Sequence, residues 1–60
     1  MYTIHYFSET GFVDSGLTHG DYYDTVEDAY EMARRALNED MRIEKANIVD
    51  CDTLKIMEEL

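Results

Sequence analysis

Sixty residues, 45 % of them hydrophobic and with a formal charge of −9, suffice for a single domain over 1–60 that buries only roughly 60 % of the surface its unfolded chain exposes. That leaves little room for an enclosed active site. The carboxylate excess repels phosphate backbones and anionic headgroups, which argues against direct nucleic-acid or membrane-surface binding, and no apolar run approaches the ~20 residues that cross a bilayer.

The opening MYTIHYF alternates Tyr2, Ile4 and Tyr6 with Thr3, His5 and Phe7. A period of two in β-favouring residues predicts a strand. SETG supplies turn chemistry ending in Gly11, and FVDSGLTH, residues 12–19, reads as a second, weaker strand interrupted by Gly16.

A helix follows, and its start is well marked. Thr25 can cap it with Asp28 three residues on, in the manner of a capping box, and Asp24 is the alternative cap. Val26, Ala29, Tyr30, Ala33, Ala36 and Leu37 recur at helical spacing as one apolar face, opposite Glu27, Glu31, Arg34, Arg35 and Asn38. Glu31 and Arg35 are spaced for a favourable i,i+4 pair. The helix is expected to end near Asn38, because the following acids oppose its dipole.

KANIVDCDTLKIMEEL closes the chain as a hairpin. A two-residue turn at Cys51 and Asp52 would set Lys55 opposite Ile48. A three-residue turn of Cys51, Asp52 and Thr53 instead pairs Ile48 with Ile56 and Asp50 with Leu54, which keeps lysine off the core face and is preferred. No glycine stands at the left-handed position that such a turn usually needs.

The order is therefore ββαββ, an α+β fold with a four-stranded antiparallel or mixed sheet and one helix packed on one face. Ile4, Tyr6, Ala46, Ile48, Leu54, Ile56, Val26, Tyr30, Ala33 and Leu37 are the expected core. The other face of the sheet would display His5, Phe7, Val49 and Met57, a surface suited to a homodimer or a partner if these side chains cluster.

Catalytic chemistry finds no constellation here. A nucleophile needs a base and an orienting group within reach; the candidates are Cys51 in a turn and the separate His5 and His19. Asp50 and Asp52 flank Cys51 and disfavour a thiolate. The protein is expected to be no enzyme. No ligand spacing points to a metal, since CxxC and HxxxH are missing and the stretch from Asp14 departs from the calcium-loop pattern. No cofactor is expected. A lone cysteine and an N-terminus without a charged flank and apolar run fit a reducing, cytoplasmic setting.

The charge distribution is more informative. Residues 1–33 carry seven acids and no Lys or Arg, a formal −7, whereas residues 34–60 carry seven acids and all five bases, a formal −2. Acids in the first helical turn are explained by the helix dipole, which each meets for roughly 0.3–1 kcal/mol. The remaining asymmetry is not. Asp14, Asp21, Asp24, Glu27, Asp28 and Glu31, with Tyr22 among them, form the candidate protein-binding face, and its natural partner is a basic protein surface.

Small size, ββαββ order, strong acidity and mixed aromatic and acidic stretches such as GDYYDTVEDAYE resemble those of small phage and prophage inhibitors of host defence nucleases, the anti-CRISPR proteins and anti-restriction DNA mimics. The resemblance spans the whole chain in composition and element order and carries no shared motif. It implies an acidic inhibitor that occludes the nucleic-acid site of a DNA- or RNA-binding enzyme or effector complex. The alternative is a small homodimeric structural or adaptor module acting through the helix-free sheet face.

Overall fold

The computed structural model of the chain describes residues 1–15 and 20–60. Its elements are β1 (Tyr2–Ser8), β2 (Gly11–Ser15), α1 (Val26–Glu39), β3 (Lys45–Asp50) and β4 (Ile56–Glu59). The strands form one sheet in the order β2-β1-β3-β4, with every neighbouring pair antiparallel. The α+β, ββαββ reading is therefore met, and the sheet is antiparallel rather than mixed. The expected continuation of the second strand through Gly16 to residue 19 lies outside the described residues.

The alternation in β1 decides which side chains meet the helix. Ile4 stands opposite Ile48 and Tyr6 opposite Ala46, and α1 lays Ala29 and Ala33 on them. Ile4, Ala29, Ala33, Ala46 and Ile48 are buried as one cluster, with Tyr2, Tyr6, Tyr23, Val26, Leu37 and Leu60 packed around it. Two alanines one turn apart let the helix backbone approach the sheet closely, so two isoleucines are enough to fill the gap.

Three residues expected in this core stand elsewhere. Tyr30 is exposed, because it lies at the margin of the apolar stripe, where the Arg34 guanidinium covers its ring at 5.9 Å from the centroid. Leu54 and Ile56 are also exposed, and here the hairpin turn is the cause. It is longer than three residues. Asp50 Oδ1 accepts hydrogen bonds from the backbone N–H groups of Asp52 (2.8 Å) and Thr53 (3.2 Å), and Leu54 N–H donates to the Asp50 carbonyl. Leu54 itself takes the left-handed conformation, with φ 61°. Pairing resumes with Ile56 opposite Val49 rather than Ile48. A slip of one residue turns a side chain to the other face, so Ile56 leaves the core. A bulge then sets Glu58 opposite Ile48, and Leu60, whose N–H donates to the Ala46 carbonyl at 2.8 Å, packs against the core in its place.

The helix is capped as its sequence predicts: the Asp28 N–H donates to Thr25 Oγ1 at 3.1 Å. It ends at Glu39, one residue beyond Asn38. Asp40, the residue after, is clasped by Arg42 through Nε (3.1 Å), Nη2 (2.9 Å) and the backbone N–H (3.0 Å). The expected Glu31–Arg35 pair does not form. Arg35 instead turns its guanidinium to the Met32 sulfur at 3.9 Å, an arrangement consistent with the small stabilisation that exposed ion pairs offer.

The helix-free face is less open than the sequence suggests. Thr3 and Val49 on it are buried, and Asn47 and Ser15 nearly so. The Thr3 hydroxyl donates to the Asp21 carbonyl at 2.9 Å, which brings the chain leading into α1 against this side of β1. Tyr23 then pairs with Tyr2 through two main-chain hydrogen bonds of 2.8 Å. This seats Tyr23 on the core and leaves Tyr22 exposed. Among the described residues no helix is long and apolar enough to cross a membrane.

Candidate functional site

The acidic face is assembled from two places. Thr25 starts α1, so Glu27 and Asp28 occupy its first turn, Glu31 follows one turn on, and Asp24 and Asp21 precede the cap. All five are exposed. The second contribution is Asp14 in β2, set opposite Tyr6 of β1; its Oδ1 accepts the Ser15 N–H at 2.8 Å.

The two places meet at a pair of phenols. The Tyr6 hydroxyl has its pKa raised by burial first and then by Tyr23, Asp21 and Asp14. Burial likewise raises Tyr23, with Asp21 adding to it. Carboxylates seven residues apart in sequence thus act on one phenol, because Asp14 lies beside Tyr6 in the ladder and the Tyr2–Tyr23 pairing returns Asp21 to the same edge of β1. For both phenols, burial and the neighbouring carboxylates favour the neutral, protonated form.

Little neutralises the acids from Asp21 to Glu31 among the described residues. Among the described residues the ion pairs join Arg42 to Asp40 and Lys45 to Glu59, each at 2.9 Å, and neither reaches Asp21, Asp24, Glu27, Asp28 or Glu31. The two arginines on α1 are engaged with Tyr30 and Met32. Tyr30, Glu31, Arg34, Arg35, Asn38 and Glu39 line a shallow open depression on the helix, where the surface passes from acidic to mixed charge.

The residues predicted for the opposite face of the sheet are only partly brought together. His5 and Phe7 lie side by side with Phe12, which meets both rings edge-on at 5.9 and 5.8 Å. Val49, at 2 % exposure, offers a partner nothing. Met57 falls at the β4 bulge, and Ile56 takes the place opposite Val49. Sequence reasoning missed Phe12, 60 % exposed, although its position at the head of the second strand, after Gly11, was the available signal.

Among the described residues no cluster of three or more His, Cys, Asp or Glu side chains is placed to hold a metal ion. Cys51 is half-buried in the β3–β4 turn, its N–H bonded to the Met1 carbonyl at 3.0 Å. The acidic face offers carboxylates with the exposed ring of Tyr22 among them, which are the elements of a binding surface for cations. No family model, curated protein or solved structure matches the chain.

Proposed function

We propose that this is a non-enzymatic binding protein whose acidic face, Asp14, Asp21, Asp24, Glu27, Asp28 and Glu31 with Tyr22, docks on a basic surface of a nucleic-acid-binding protein and occludes it. An inhibitor of the anti-CRISPR or anti-restriction kind acts in this way. The observation that carries the reading is the run of five exposed acids from Asp21 to Glu31, which no ion pair among the described residues neutralises. Carboxylates one turn apart on a helix are spaced about 6 Å from the helical rise, close to the spacing of phosphates along a nucleic-acid strand.

The test is affinity capture from a bacterial lysate, eluted with rising salt and, separately, with duplex DNA. Salt-labile capture of a nucleic-acid enzyme that DNA displaces supports occlusion. With that partner in hand, the Glu27→Lys, Glu31→Lys double variant changes the local charge by four and slows association about tenfold or more at low salt; an unchanged rate overturns the reading. A second reading, a homodimer or adaptor acting through the other face of the sheet, is favoured by exposed Phe12 and Ile56. Self-association that resists salt would select it.

A further inference from the structure

The helix-free face carries a polar row that crosses all four strands. Ser15, His5, Asn47 and Glu59 stand opposite one another in turn, with Phe12 and Phe7 on one side and Val49 and Ile56 on the other. Asn47 is only 6 % exposed. Its Oδ1 and the Nε2 of His5 are both shut off from solvent, and neither has a hydrogen-bond partner among the described residues. Buried polar atoms are nearly always paired, so each exception asks for a cause. Two exceptions on directly opposed residues ask for a shared one.

The surroundings narrow the cause. The His5 ring is set by its edge-on contact with Phe12 at an interplanar angle of 89°, which restrains the direction of Nε2. Glu59, the other neighbour of Asn47 in the row, gives its carboxylate to Lys45 at 2.9 Å. Opposed residues on one face of an antiparallel pair have Cβ atoms about 4.5–5.5 Å apart, a separation at which one small molecule can bond to both side chains. Internal waters take such positions, with two to four polar partners each.

We infer that a single internal water occupies this row, bridging His5 Nε2 and Asn47 Oδ1 and so linking β1 to β3 through side chains as well as backbone. With the imidazole proton on Nδ1 the water donates to both atoms; with it on Nε2 the water accepts from His5 and donates to Asn47. Either neutral tautomer satisfies the pair. The competing arrangement is dry: the Asn47 amide turned over, so that its NH₂ donates directly to His5 Nε2.

The deciding measurement is a high-resolution crystal structure of the full chain, together with NMR cross-peaks from long-lived water to the His5 ring and Asn47 amide protons. Density within about 3.2 Å of both atoms, with those cross-peaks, is the expected result. A direct Asn47–His5 bond with no water between them overturns the inference. His5→Phe, Asn47→Leu and the double variant add a thermal readout. Each single change strands the water beside one partner, so the double variant should lose less in Tm than the two singles summed. Additive losses would count against the bridge.

Discussion

Leu54 is the residue on which the hairpin geometry can be tested most directly. It is the one non-glycine residue with positive φ among the described residues, at 61°, and it sits in the β3–β4 turn with its N–H on the Asp50 carbonyl at 2.8 Å. A left-handed L-residue carries roughly 1–2 kcal/mol of steric strain that glycine does not. Glycine in turn loses about 0.4–1 kcal/mol through its freer unfolded chain. Leu54→Gly and Leu54→Ala remove essentially the same packing from this exposed side chain, so their difference isolates the backbone. Leu54→Gly is therefore expected to be the more stable of the two by about 0.5–1 kcal/mol, the reverse of the usual order inside a helix or strand. In a domain of this size each kcal/mol moves Tm by roughly 4–8 °C, which thermal unfolding followed by circular dichroism resolves. If Leu54→Ala equals or exceeds Leu54→Gly, the turn does not hold Leu54 in the left-handed region and the register of β4 has to be redrawn.

Three other outcomes follow from the same geometry. Thr25→Ala removes the acceptor of the Asp28 N–H and should cost about 1 kcal/mol, read by chemical denaturation, while Thr25→Ser should cost little. Because repulsion in the acidic half is screened by salt, Tm should rise between dilute and moderate ionic strength, and an indifferent Tm would mean that the acids are better paired than described. Asp40 should titrate at about 2, held down first by the Arg42 side-chain hydrogen bonds and then by the Arg42 N–H. A depressed carboxyl contributes stability above its unfolded pKa that is lost as pH falls through the folded one, here from about pH 4 down to about 2. Arg42→Ala should return the Asp40 midpoint towards the ordinary carboxylate range, as read by NMR titration.

Charge, period and caps are local properties, and what rests on them could be read from the chain alone. The strand in β1 follows from strict alternation, the start of α1 from Thr25 with Asp28, and the existence of an acidic face from seven acids before the first Lys or Arg.

The tertiary structure decided whatever depends on a choice among near-equal partners. Ile48 can face Ile56 or Glu58, a difference of two residues, and the longer turn capped by Asp50 together with the bulge in β4 settled which. Leu60 entered the core as a consequence and Ile56 left it. Tyr30 sits at the edge of the apolar stripe, where periodicity cannot say whether the sheet or a neighbouring arginine claims the ring. The convergence of Asp14 and Asp21 on Tyr6, and the facing of His5 with Asn47, arise from strand pairing across gaps of seven and 42 positions. Such contacts form only when the sheet closes, because no periodicity within one segment specifies its neighbour's register.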